Sequence, residues 1–159
     1  MEQLLDQYQE ETDDRQRRRL LAGAAVVGAY IKRYGNLLLV SQHTATAPMG
    51  DLARCFEDSF ANLELLDVKC LCTLPGSVRL ATTDLLRVYR TFEMAVEACL
   101  YDLQAVWVHA RADGDGVRLH LEFVCDTDLA PVAPAADAFT CEDGTSRFTF
   151  RLQKGGAPA

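Results

Sequence analysis

Residues 91–98 read TFEMAVEA and residues 105–109 read AVWVH, and these two stretches decide the fold. Glu93 and Glu97 are four residues apart, so a helix would place both carboxylates on one face. Apolar residues at helical spacing surround them, which predicts a helix packed beside the strand at residues 105–109. Two carboxylates at this spacing are also common on a solvated helix face, and that interpretation stays open at this point.

Length, composition and charge narrow the class of protein. The chain has 159 residues, which fits one domain, or one domain with a short appendage. Hydrophobic residues make up 49% and charged residues 25%, so a folded globular protein is expected. The net charge of −7 argues against nucleic acid and anionic membranes as partners, because both require a basic surface.

The cysteines and the N-terminal residues indicate in which cellular compartment the protein is expected. The six cysteines contain no C-x-x-C pair and, with three histidines, show no zinc-binding spacing. They indicate free thiols in a reducing, cytoplasmic location. Residues 1–19 are strongly charged, so no signal peptide is predicted. The longest apolar run, residues 20–30, is too short to span a bilayer, so we expect this segment not to lie in the membrane.

Residues 1–47 are predicted to be a helical dimerisation segment. Residues 1–10 are expected to form a short helix, and Thr12 to begin a second one, which together make a helical hairpin. In the second helix, apolar residues spaced alternately four and three apart form a heptad stripe: Leu20, Ala24, Val27, Ile31, Tyr34 and Leu38. Such a stripe needs a partner, and we expect a homodimer through these N-terminal helices. Packing of the stripe against the rest of the same chain is the alternative.

Residues 48–154 are predicted to form the second part, and residues 155–159 a disordered tail. The expected order is a helix to about residue 66, a strand over 68–74, the helix with Glu93 and Glu97, a hairpin over 105–125, a loop over 126–143 and a strand over 147–152. A hairpin and two helices that cover one sheet face predict an α+β fold, a two-layer α/β sandwich behind the helical hairpin.

Element order and local motifs together resemble the ATP-binding domain of sensor histidine kinases, in the GHKL superfamily. The matching stretches are LDVKC at 66–70, LRVYRTFE at 86–93 and GTSRFTFRL at 144–152. The helical part before residue 41 resembles the end of the kinase dimerisation bundle. The resemblance covers most of the chain and implies the C-terminal region of a bacterial two-component sensor histidine kinase.

The resemblance assigns roles to four residues. Glu93 takes the place of the catalytic base, and Glu97 stands at the position of the Mg²⁺-holding asparagine. Asp126 aligns with the aspartate that binds the adenine amino group, and Thr145 lies in the terminal strand that contacts the nucleotide. ATP and Mg²⁺ are therefore the cofactors that the resemblance implies.

The motifs depart from the family pattern where the nucleotide would bind. Glu97 adds negative charge beside a triphosphate, which repels ATP unless a metal is held firmly. Asp128 and Ala130 replace both glycines of the next motif, and residues 129–143 contain no glycine to form an ATP lid. We therefore predict a degenerate site that binds Mg·ATP weakly or not at all.

The expected function is a cytoplasmic signalling module of a two-component sensor histidine kinase, with little or no kinase activity. It would be the soluble end of a membrane-anchored sensor and contact a response regulator or another signalling protein. None of His43, His109 and His120 has the acidic residue that usually follows the family's phospho-acceptor. Two alternatives remain open: an active ATP-dependent kinase module, and a protein-interaction module that does not use nucleotide.

Overall fold

The computed structural model describes residues 2–3 and 14–155, and it has helices on one side of a five-stranded sheet. The helices and strands in chain order are α1 (Asp14–His43), β1 (Thr46–Pro48), α2 (Met49–Glu64), β2 (Lys69–Thr73), β3 (Arg79–Ala81), α3 (Thr82–Cys99), β4 (Ala105–Asp113), β5 (Gly116–Val124), a 3₁₀ helix (Ala130–Ala135), β6 (Ala138–Glu142) and β7 (Thr145–Gln153). The α+β class and the α/β sandwich are thus confirmed.

The sheet has the strand order β2-β4-β5-β7-β6. Strand β2 runs parallel to β4, as a connection through α3 requires, and the other neighbours are antiparallel. The β4–β5 hairpin turns at Gly114, whose φ of +62° is a backbone conformation that glycine adopts without strain. Strands β1 and β3 pair separately as a two-stranded sheet.

Helices α2 and α3 cover one face of the sheet and form the core with it. Phe92 of α3 lies at the centre, with ring centroids 5.0 Å from Phe56 of α2 and 6.1 Å from Phe123 of β5. Tyr89 lies one turn earlier, and its hydroxyl shares a buried 2.9 Å hydrogen bond with Ser59. The alternation of apolar residues along β5 and β7 turns one side of each strand into this core.

Helix α1 forms a further layer on top of α2 and α3. Tyr30 packs on Tyr89 with ring centroids 5.5 Å apart, and Arg33 forms an ion pair with Asp58 of α2. Helix α1 also lies close to the residues just past α3 at Gly23, where an added Cβ would lie 2.9 Å from the Tyr101 hydroxyl. The long N-terminal helix is therefore packed against its own chain along one side.

This packing corrects the heptad stripe. Leu20 is buried and Tyr34 packs against the core of the same chain, whereas Ile31 and Leu38 are exposed. The six stripe positions therefore do not share one free face, and the alternative of packing within the chain holds for part of them. The first helix of the predicted hairpin lies outside the described residues, except for residues 2–3, which are helical.

Other differences concern short elements. Helix α1 continues to His43, beyond the last residue of the predicted stripe, and the strands β1, β3 and β6 were not predicted. Gly155, in the predicted tail, donates its backbone N–H to the Arg79 carbonyl at 2.8 Å. Among the described residues, no helix combines the length and the apolar character needed to cross a membrane.

Candidate nucleotide site

Glu93 lies in the interior, on the side of α3 that faces α1. It is 2% exposed, and neither carboxylate oxygen has a hydrogen-bond partner among the described residues. Burial, and to a smaller extent the charge of Glu97, raises its pKa to about 8. The side chain is therefore mostly protonated at neutral pH, and a neutral carboxylic acid is a poor general base.

Glu97 follows one turn later on α3 and is exposed. Still further along, past the end of α3, lies Tyr101. Tyr101 contacts α1: its carbonyl accepts a 3.0 Å hydrogen bond from Arg19, whose guanidinium also lies 5.3 Å from the ring centroid. The residues just past the C-terminal end of α3 thus hold α1.

The loop with Asp126 is held by a residue that sequence reasoning missed. Oδ2 of Asp102 accepts hydrogen bonds from the backbone N–H groups of Asp126 (3.1 Å) and Thr127 (2.7 Å) and from the Thr127 hydroxyl (2.7 Å). The Asp126 side chain itself is exposed. Asp102 gave no signal in the sequence, because its partners are more than twenty residues away.

Thr145 lies on the other side of the sheet from Glu93. It begins β7, opposite Val124 of β5, and its side chain points to the same face as Arg147 and Thr149. On that outward face it lines a shallow cavity together with Trp107 and Glu122. Thr145 and Glu93 are therefore separated by the sheet.

The segment at the place of the ATP lid is short and fastened. Ala130–Ala135 form a 3₁₀ helix that contains Pro131 and Pro134 and packs against α3. The residue before it, Leu129, is fully buried. Arg87 of α3 donates two hydrogen bonds to Asp137, at 3.2 and 3.4 Å, which holds the far end of the segment.

An open cleft of about 590 Å³ remains between α1, α3 and this segment. It is lined by Tyr34, Leu86, Arg87, Arg90 and Met94, with Pro134 on the other side. None of the four predicted site residues lines it. Within residues 2–3 and 14–155, no group of three or more His, Cys, Asp and Glu side chains is arranged to hold a metal ion.

The structure thus does not bring the four predicted residues together. Glu93 is covered and protonated, Glu97 is a carboxylate at an amide position, Asp126 is on an exposed loop, and Thr145 is across the sheet. These residues do not fit a bound Mg·ATP as the resemblance assigns it. What the sequence did not reveal is that α1 folds back onto the Glu93 side of α3.

Comparison with known proteins gives structural matches only. No protein-family model matches the chain, and no curated protein matches it significantly. Among solved structures, a bacterial phosphotransferase matches with a TM-score of 0.59 at 9% identity, over 93% of this chain and 84% of that one. The catalytic domain of histidine kinase ThkA matches with a TM-score of 0.53 at 10% identity, over 69% of this chain and 94% of that domain.

A third match is the histidine kinase AdeS of Acinetobacter baumannii, with a TM-score of 0.52 at 10% identity, over 92% of this chain and 87% of AdeS. At these identities a match is informative about architecture and not about activity. The architecture nevertheless agrees in helices, mixed sheet and order with what the motifs at residues 66–70, 86–93 and 144–152 implied. The chain therefore has the fold of the catalytic region of histidine kinases.

Proposed function

We propose that the chain is a signalling module built on the histidine kinase fold, with a degenerate nucleotide site and little or no kinase activity. It acts by contact with other proteins, in the cytoplasm, as the end of a membrane-anchored two-component sensor. The observation that carries this proposal is the packing of α1 over the side of α3 that bears Glu93.

Steric and electrostatic reasons support the loss of nucleotide binding. A nucleotide beside Glu93 would have to displace α1, which is held by the Tyr30–Tyr89 contact and by Arg19 on Tyr101. The exposed carboxylate of Glu97 would also repel the phosphates. Backbone N–H groups for phosphates normally come from a glycine-rich lid, and the 3₁₀ helix with two prolines takes that place.

A response regulator is the partner that we propose. ThkA, whose catalytic domain has this fold, has been solved in complex with the response regulator TrrA. We propose that a module without kinase activity still binds such a protein. The reduced cysteines, all six free in the structure, fit a cytoplasmic location.

Calorimetric titration of the full chain with Mg·AMPPNP tests the nucleotide proposal. We expect no saturable binding in the micromolar range, because the Glu93 side of α3 is occupied by α1. Glu97→Asn, which restores the family's amide, is expected to remain without binding for the same reason. ShkA, which was solved with AMPPNP, serves as the positive control. A low-micromolar dissociation constant that Glu97→Ala abolishes would overturn the proposal.

We also propose that the chain is a homodimer through the side of α1 that points away from α2 and α3. This outer α1 face carries large exposed apolar side chains, and Ile31 is 61% exposed. Gly28 and Gly35 lie on the same face with open space around them, so a second helix could approach closely. The exposed apolar residues of this face are Leu21, Ile31, Leu38 and Leu39.

Sedimentation velocity of Ile31→Glu tests the dimer. A buried unpaired carboxylate at the centre of the interface is expected to shift the protein from dimer to monomer. Leu71→Glu is the matched control, because Leu71 is similarly exposed but lies on β2, on the face of the sheet that points away from the helices. If the unmutated protein already sediments as a monomer, the dimer proposal is wrong.

A further inference from the structure

The outward face of the five-stranded sheet carries charge of the opposite sign to the chain as a whole. Over the full sequence, 23 acidic residues outnumber 16 basic ones. Strand alternation nevertheless places more basic than acidic side chains on this outward sheet face. The basic residues are Lys69, Arg111, Arg118, Arg147 and Arg151, and the acidic ones are Asp113, Glu122 and Glu142.

Three of these arginines form a row across the sheet. Arg111 of β4 lies directly opposite Arg118 of β5, which lies opposite Arg151 of β7. Like charges at directly opposed positions destabilise a sheet, so the row is not explained by folding. Asp113 contacts Arg118 at 2.8 Å, and the charge of Asp137 also acts on Arg151. Because Asp137 already pairs with Arg87 of α3, these two carboxylates do not neutralise the three guanidinium groups of the row. The Nε atom of Arg118 is buried without a partner among the described residues.

Nearer the other end of the same strands, the negative charge of Glu122 is neutralised by its neighbours. One oxygen of Glu122 accepts hydrogen bonds from Arg147, at 2.8 Å from Nε, and the other oxygen lies 2.9 Å from Nε2 of His109. Arg147 and His109 together lower the pKa of Glu122 despite its burial. This arrangement fixes the residues beside Glu122 without adding a free negative charge to the face.

Exposed apolar side chains lie beside the ion pair of Glu122 and Arg147. Trp107, opposite Glu122, is 44% exposed, and its ring lies 4.2 Å from that of His109. Leu71 on the neighbouring strand is 54% exposed. Beside them lies a cavity of about 400 Å³, lined by Lys69, Leu71, Ala105, Trp107, Val124 and Thr145. An exposed tryptophan next to a small apolar cavity is typical of an anchor site in protein recognition.

From these observations we propose that the outward sheet face is a docking surface for an acidic protein segment with an apolar anchor side chain. The anchor fills the cavity at Trp107, and the carboxylates of the segment pair with the arginine row. Trp107 and Arg111 are four residues apart on β4, so the anchor and the acidic residues are separated by about 13 Å. An extended segment of four or five residues spans this distance.

The partner's chemistry follows from the charge of the whole chain. Nucleic acid and anionic membranes are extended polyanions, which would also meet the acidic remainder of the molecule. A short acidic segment touches only the outward sheet face, where the charge is complementary. This proposal does not depend on nucleotide binding or on the outer α1 face, because the helices lie on the opposite side of the sheet.

A peptide selection on the full chain tests the surface and requires no identified partner. Random dodecapeptides are selected on the immobilised protein and counter-selected on the double variant Arg111→Glu, Arg151→Glu. We expect the enriched peptides to combine acidic residues with a large apolar residue. Enrichment of neutral or basic peptides, or no enrichment specific to the unmutated protein, would contradict the proposal.

Fluorescence then locates the binding site, because Trp107 is the single tryptophan of the chain. An enriched peptide without tryptophan is expected to shift its emission saturably, with affinity about tenfold weaker for the double variant and falling with salt. Arg54→Glu, an exposed change on α2, should leave the affinity unchanged. The milder pair Arg111→Gln, Arg151→Gln serves if the charge reversal perturbs folding.

Tighter binding of polyuridylate or phosphatidylserine vesicles than of any peptide would refute the acidic-protein assignment.

Discussion

Glu93→Met is expected to stabilise the fold by about 4 kcal/mol at pH 8 and by much less at pH 5. Burial raises the pKa of Glu93 to about 8 in the folded protein, whereas an unfolded glutamate titrates near 4.3. Between these values the unfolded chain ionises and the folded one stays protonated. The folded state therefore loses about 1.4 kcal/mol of stability for each pH unit of increase in this window.

Urea unfolding at several pH values measures this effect as the difference between the variant and the unmutated protein. The difference is needed because His120 acts in the opposite direction. Burial and the nearby charges of His109, Arg147 and Arg111 lower the pKa of His120 to about 4, so its contribution is lost as pH falls from about 6.5. That contribution is common to both proteins and cancels.

Glu97→Met is the control for the same helix. Glu97 is exposed, so its replacement should change the free energy of unfolding by no more than about 0.5 kcal/mol. A pH-independent difference between Glu93→Met and the unmutated protein would mean that Glu93 is ionised in the fold. In that case the packing of α1 over this residue would not be as described.

Phe92→Ala should destabilise the fold by about 3–5 kcal/mol. The ring is fully buried where α3 meets both α2 and the sheet, with Phe56 edge-on at 5.0 Å and Tyr89 stacked at 5.9 Å. Its removal leaves a cavity that three elements line, and backbone elements on all sides prevent collapse into it. Such a loss is comparable to the whole stability of many domains of this size.

Chemical denaturation monitored by circular dichroism measures the loss, with Leu65→Ala as the control. Leu65 is one of the most exposed apolar residues, so its truncation should cost about 0.5 kcal/mol or less. If Phe92→Ala costs less than about 1 kcal/mol, the aromatic cluster is not the centre of the core.

The sequence predicted the elements that carry strong periodicity. Helix α3 and the β4–β5 hairpin were predictable because residues 82–99 have a helical apolar pattern and residues 113–116 form a Gly-containing turn. Strand β6 was missed because residues 138–142 follow a segment rich in Ala and Pro and lie at the sheet edge, with little burial pattern. Strand β3 has only three residues and pairs with one equally short strand.

The candidate site was less predictable because it depends on contacts distant in sequence. The spacing of Glu93 and Glu97 showed that both lie on one side of α3, but not which of them is buried. That difference arises from α1, whose Tyr30 meets Tyr89 from nearly sixty residues away. The apolar pattern of α1 shows several candidate faces, and only the tertiary packing determines which one turns inward.

Helix α1 is a continuous helix of 30 residues, about 45 Å long. Such a helix rotates about its axis as one body. The inward and outward sides of α1 consequently turn together. A twist transmitted along the helix that moves Ile31 by a given angle moves Tyr30 away from Tyr89 by the same angle. Rotation of α1 thus links exposure of the Glu93 side of α3 to whatever contacts the opposite side of the helix, without any change within the sheet.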